Sequence, residues 1–363
     1  MLSSFPRLTA ALESGRDRGL HIGAQLYIAH QGKVLLDTGW GLTREGVPME
    51  SNTLMVWLSS TKPLAAIALS QVLPRKNLSF DLRVSELWPE FGQKGKEGIT
   101  LRHLLTHTAG FRSADSMWSK MSWEENLRSA AEAPLEDGWI LGKQAGYHMS
   151  ISWFVLAEIV RRLDGRDYAT YVREEIFLPL NLQDAYLQTD ESTYHAYGDR
   201  IGLMHNTLQG RCEPHSFWDT VLGYTILRPG SSGHGPIRSL GKIYECLLNG
   251  GDPLLPKSAV EEITKRHRVG LFDETFQHTI DWGLGFVINS AQYGRDTVPY
   301  GYGRHASPET FGHSGAQSSS AFADPEHHLV VAWVLNGMCG ESLHRPRARE
   351  INTAIYEDLG ITI

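Results

Sequence analysis

Strand-forming stretches stand at both ends of this 363-residue chain and helical spacing fills its middle, which restricts the fold more than any other feature. Ile22–His30 and Lys33–Gly39 flank Gln31-Gly32 and read as a β-hairpin with glycine at the turn. A second pair lies near the C-terminus: Ser319–Ala323, a turn at Asp324-Pro325-Glu326-His327, then Leu329–Leu335. Between them Leu101–Leu105, Trp123–Ala131, Ser152–Leu163 and Tyr168–Phe177 carry helical spacing, with Asp164-Gly165 and Pro179 as stop signals. The pattern predicts an α/β (α+β) fold, an antiparallel sheet flanked by helices and built from both termini. Residues 1–75 and 225–363 would form the sheet domain and 76–224 a mainly helical one, with the active site in the cleft between them. Residues 187–236, rich in Gly, His and Ser, are expected to loop over that cleft.

Ser59-Ser60-Thr61-Lys62 opens an apolar run, Pro63–Leu73, that reads as a buried helix. A three-residue offset puts two side chains on one helical face, so the Lys62 amine can sit beside the Ser59 hydroxyl and take its proton. At a helix N-terminus the dipole favours a developing alkoxide and disfavours a protonated lysine. Pro63 opposes a helical Lys62, although a first-turn proline loses few hydrogen bonds. Ser239 and Lys242 repeat the spacing, but their surroundings read as the start of a surface helix capped by the serine.

The formal charge of −7 is interspersed, with no basic stripe to match a phosphate backbone, so nucleic acid is not an expected partner. Cys212, Cys246 and Cys339 are odd in number and widely spaced, which fits a reducing compartment. The first residues lack the pattern of an export signal, and the longest apolar runs fall short of the roughly 20 residues a bilayer needs. A cytoplasmic protein without membrane contact is expected. His103 and His107 stand four apart, yet no catalytic glutamate follows His103, so no metal is assigned. Gly301-Tyr302-Gly303 lacks the strand before it and the helix after it that a dinucleotide site needs, and no cofactor is expected. No Gly-x-Ser-x-Gly elbow occurs.

Several separated motifs resemble the serine β-lactamase and penicillin-binding superfamily, in particular its class C β-lactamase and family VIII esterase/transesterase branch. Ser59–Lys62 resembles the first motif, and Ile99–Phe111 the structural segment that follows it. Gly146-Tyr147-His148-Met149-Ser150 is similar to the tyrosine motif, and Gly312-His313-Ser314-Gly315 to the third motif on the strand edging the site. The resemblance implies that Ser59 is the acylated nucleophile, with Lys62 and Tyr147 as proton-transfer partners and either of them as the base. It also implies an oxyanion hole from the backbone N–H groups of Ser59 and Ala316. His313, Ser314, Gly315, Met149 and Trp118 would contact substrate, and Trp118, Trp123 and Trp139 would wall an aromatic acyl pocket. Met149 replaces an asparagine usual in lactamases and His313 a lysine, so efficient β-lactam hydrolysis is not expected and neutral acyl esters or amides fit better.

The function these readings converge on is a serine acyl-enzyme hydrolase of a carboxylic ester or related acyl compound. One alternative is a biosynthetic transacylase that passes the acyl group to an amine or alcohol. A further one is a non-catalytic penicillin-recognising sensor or scaffold. The partners expected are a small-molecule acyl donor and water or an amine or alcohol acceptor, and the oligomeric state is left open.

Overall fold

Leu329–Leu335 reads Leu-Val-Val-Ala-Trp-Val-Leu and offers no polar residue to water, so a strand there must be covered on both faces. The computed structural model, which describes residues 2–113, 122–215 and 217–362, places it mid-sheet with all seven residues buried. The strands are β1 (Gly23–His30), β2 (Lys33–Arg44), β3 (Val47–Pro48), β4 (Val287–Ile288), β5 (Phe311–Ser314), β6 (Ser319–Asp324) and β7 (Leu329–Leu335). Among the described residues they form one antiparallel sheet in the order β4-β5-β6-β7-β1-β2-β3. The β1–β7 pairing joins the two ends of the chain, with Leu26 opposite Trp333. Gln31 and Gly32 both take positive φ, 51° and 73°, which is the type I′ geometry that suits the twist of a two-residue hairpin.

The period of two along these strands sorts their residues between two cores. Leu26, Ile28, Val331 and Trp333 meet Leu8 and Leu12 of α1 (Pro6–Asp17) and the residues Ile351 and Ile355 near the chain's end. On the other face Tyr27, Ala29, Val330, Ala332 and Val334 share a core with Leu240, Ile243, Tyr244 and Leu247. The helix carrying these last four comes close to the sheet because residue 241 is glycine. A Cβ there would lie 2.2 Å from Tyr27 Cδ1. Beyond it α2 (Pro63–Arg75) packs against α3 (Ile151–Asp164), both with long apolar runs. We label the helix over the second face α4 (Arg238–Leu248) and the C-terminal one α5 (Glu341–Asp358).

The structure alters three expectations. Ser239 does not cap a surface helix: α4 begins after Ile237, and Ser239 lies buried in its first turn because that turn already faces the sheet. Tyr168–Phe177 is α-helical only to Val172 and then widens into a π turn over Arg173–Phe177. Residues 187–236 hold short elements, including helices Glu191–Tyr197 and Val221–Thr225, between their loops. No helix among the described residues is long and apolar enough to cross a membrane.

Candidate active site

The chain reaches the cavity floor through Met55–Val56, which pairs with His234–Gly235. Leu58 then takes φ +47°, a left-handed conformation costly for a side chain with a Cβ, and opens the 3₁₀ turn Leu58–Thr61. In a 3₁₀ turn residues i and i+3 eclipse, so Ser59 and Lys62 point the same way, and Lys62 Nζ lies 3.1 Å from Ser59 Oγ. The three-residue offset predicts a shared face at the N-terminus of the helix itself. Ser59 instead precedes α2 by one tight turn, and Lys62 is the helix N-cap in helical φ/ψ despite the proline after it. Ser60 Oγ bonds the His313 carbonyl (3.1 Å) and meets Ser319 Oγ at 2.9 Å, while Ser319 Oγ donates to Trp57 O at 2.6 Å. The turn is thus fixed to β5 and β6. Lys62 is buried, donates to the carbonyls of Met149 (2.8 Å) and Gly230 (3.2 Å), and stands 5.3 Å from the Tyr147 ring centroid and 4.8 Å from that of Trp153.

Tyr147 is gripped from two sides. Gly146 N–H donates to His107 O (3.0 Å) and His148 N–H to His107 Nδ1 (2.9 Å), so both neighbours of the tyrosine hang on one residue. His107 itself takes φ +57°, and its ring centroid lies 4.4 Å from that of Tyr147. Burial, with cationic neighbours, holds the His107 imidazole well below its ordinary pKa, so it acts as a neutral acceptor. On the other side Asp273 Oδ1 accepts from Tyr147 N–H (3.1 Å) and from the amides of Thr275 and Phe276, while Arg268 donates to its Oδ2 at 2.9 Å. His103, the other half of the four-residue spacing, is spent locally, its Nδ1 accepting from Thr100 N–H.

The third group is the end of β5 and the turn after it. His313 is buried, its Nδ1–H donates to the Ser314 carbonyl (2.9 Å), and burial beside Lys62 lowers its pKa to about 3, so it brings no positive charge. Ser314 Oγ bonds Ser320 Oγ at 3.1 Å. Gly315 is required by packing as well as by access: a Cβ there would lie 2.4 Å from both Trp57 O and Ser319 Oγ. Ala316 follows, exposed to the cavity, and the amides of Ser59 and Ala316 make no hydrogen bond to a described residue. Two such donors in one cavity can accept charge on a carbonyl oxygen.

These groups open into a cavity of about 390 Å³, where half-buried Ser59, Tyr147, exposed Met149, His313, Ser314 and Ala316 are all lining residues. Its aromatic wall differs from the one expected. Trp139 is buried with its ring N–H on Thr108 O, Trp123 lines a separate groove, and Trp118 lies outside the described residues. Trp218, Phe276, Trp282 and Tyr300 form the wall instead, and Glu341 and Arg345 at the start of α5 complete it. Phe276, Tyr300, Glu341 and Arg345 gave no motif because three separate segments bring them together. Among the described residues no group of three or more His, Cys, Asp or Glu side chains is arranged to hold a metal.

The chain has counterparts along nearly its whole length in known proteins. The Beta-lactamase family profile matches residues 8–354. The chain is 27% identical over 384 residues to Esterase EstB of Burkholderia gladioli, covering 96% of this chain and 94% of that protein. It is 25% identical over 364 residues to Esterase/beta-lactamase LipL of Mycobacterium tuberculosis, covering 91% and 80% of the two chains. Among solved structures, a penicillin-binding protein homologue from Caulobacter crescentus superposes with a TM-score of 0.79 at 28% identity, over 98% of this chain and 97% of that one. With nearly its whole length matched, this chain belongs to the β-lactamase family.

Proposed function

We propose that the protein is a serine acyl-enzyme hydrolase of carboxylic esters, in which Ser59 is the nucleophile and Lys62 and Tyr147 carry its proton. The observation behind this reading is the 3.1 Å approach of Lys62 Nζ to Ser59 Oγ at the floor of a cavity that Tyr147 also lines. A neutral amine has two N–H groups and one lone pair. Lys62, held by the Met149 and Gly230 carbonyls, donates to Oγ as it stands, and in the neutral form would offer Oγ its lone pair in place of that N–H. Oγ attacks the ester carbonyl, the proton passes to Nζ, and the carbonyl oxygen's charge is met by the amides of Ser59 and Ala316. Tyr147, which lines the same cavity, shares in returning the proton to the leaving alkoxide. Water then repeats the sequence on the acyl-enzyme.

Acyl transfer to an alcohol or amine is the second reading, supported by aromatic walls that offer an organic acceptor an apolar surface. It shares the first half-reaction. Both relatives named above carry the word esterase, which supports the acyl donor class. The cysteines Cys212, Cys246 and Cys339 are free, which supports a cytoplasmic location that cell fractionation would check. Steady-state assay with p-nitrophenyl acetate and butyrate tests the main reading. Sustained p-nitrophenol release is expected, and added amines or alcohols that divert the product identify a transferase. A burst of one equivalent without turnover would identify a sensor and refute the enzyme.

A further inference from the structure

Glu341 is the first residue of α5, and its position is fixed by the turn after β5, where Gln317 Oε1 accepts from Gly340 N–H at 2.6 Å. The Tyr300 hydroxyl donates to Glu341 Oε1. Burial and the adjacent carboxylate push the Tyr300 phenol well above its ordinary range, so it stays a donor. Glu341 Oε2 is buried and has no hydrogen-bond partner among the described residues. The cation nearest to it, Arg345 Nε, is 3.9 Å away on a side chain 41% exposed, beyond hydrogen-bond range and screened by solvent. The cavity wall therefore holds a carboxylate whose second oxygen, closed off from solvent, carries charge that no hydrogen bond offsets and that acts through space on a cation in the cavity.

Around it stand π faces. The ring centroids of Tyr147 and Phe276 are 4.7 Å apart and those of Phe276 and Tyr300 6.0 Å, a contiguous aromatic surface to which Trp218 and Trp282 add. Aromatic faces beside a carboxylate are the chemistry that receives an alkylammonium group. Neutral His313 puts no competing cation on the strand side.

We propose that Glu341 and this aromatic wall form a subsite for a cationic substituent, so that the preferred acyl donor is an ester carrying a protonated or quaternary ammonium group. The inference rests on the ester-hydrolase reading and deepens it. A helix-starting glutamate paired at i, i+4 with Arg345 would exist for stability alone, and that role is blind to substrate charge.

Two isosteric donors separate the possibilities: the p-nitrophenyl esters of 4-(trimethylammonio)butyrate and of 5,5-dimethylhexanoate, which differ in a nitrogen for a carbon. Rates are corrected for each ester's hydroxide-catalysed reactivity. The ratio of kcat/KM, cationic over neutral, should exceed about 10 and fall by about tenfold in Glu341→Gln. In Arg345→Gln it should rise. A ratio at or below one, or one that Glu341→Gln leaves unchanged, overturns the proposal. Equal loss on both esters assigns Glu341 to the helix start. Calorimetric titration with butyltrimethylammonium needs no turnover: binding that weakens in Glu341→Gln supports the subsite even if Ser59 chemistry fails, and no binding to the wild type refutes it. Ester turnover that survives without a charge preference leaves the hydrolase reading standing.

Discussion

Ser59 and Lys62 sit on a turn whose contacts are backbone carbonyls, β5 and β6, and the core of α2, whereas Phe276, Tyr300 and Glu341 come from loops and a helix start that meet only across the cavity. The floor holds the Ser59–Lys62 pair in place because the turn beneath it is packed and hydrogen-bonded. The wall touches Tyr147 through the Phe276 ring but makes none of the hydrogen bonds that fix Ser59 and Lys62, so it can change with less effect on that pair. In the proposed reading chemistry and selectivity are carried by different kinds of structure, and substitutions should separate them.

The largest effect belongs to the floor. Ser59→Ala or Lys62→Ala should lower kcat at least about 1,000-fold, whereas Ser239→Ala, buried under the sheet, should leave kcat per folded enzyme unchanged; p-nitrophenyl butyrate kinetics check this. One layer out, His107→Ala removes the acceptor that holds His148 N–H beside Tyr147 and should cost about 10- to 100-fold in kcat with little change in KM. Asn at 107 should recover part of the loss, since its amide oxygen can accept that bond and it tolerates a left-handed backbone. Rates normalised to burst amplitude exclude a mere loss of folded protein. If His107→Ala and His107→Asn behaved alike, the grip on Tyr147 would not matter.

Buried histidines, His313 beside the floor among them, shape the pH dependence of stability. Burial lowers the imidazoles of His21, His234 and His313 to about 3, while in the unfolded chain each titrates near 6.5. Below pH 6.5 the unfolded state binds more protons, so their contribution is fully present above that value and drains away toward about 3. Each accounts for about 1.4 kcal/mol per pH unit. Asp219, pushed up to about 7 by burial, opposes them by one proton. The readout is therefore a difference: urea unfolding between pH 7 and 4.5 should show His313→Gln losing less stability than the parent, by about one proton's slope. The smallest effect lies at the wall, where Phe276→Ala should change KM a few-fold and leave kcat nearly intact.

The same division explains what the sequence disclosed. Apolar runs such as Leu329–Leu335 and Pro63–Leu73 can exist only under cover on all sides, so sheet and central helix were legible without a partner sequence. Ser59, Lys62, Tyr147 and His313 lie within short local motifs. Phe276, Tyr300 and Glu341 do not: their meeting depends on Asp273 gathering three amides and on Gln317 reaching Gly340, contacts between segments with no shared pattern. The tryptophans near Tyr147 in sequence misled for the same reason, since Trp139 turns its N–H to Thr108 and leaves the wall to Trp218 and Trp282.

The claim on which the account turns is that Lys62 activates Ser59 to form a covalent acyl-enzyme. Mass spectrometry of peptides from enzyme quenched during p-nitrophenyl butyrate turnover tests it directly. The account predicts one butyryl group on Ser59, absent from Ser59→Ala, present in Ser239→Ala and formed far more slowly in Lys62→Ala. Full turnover by Ser59→Ala, or the acyl group on another residue, would contradict it.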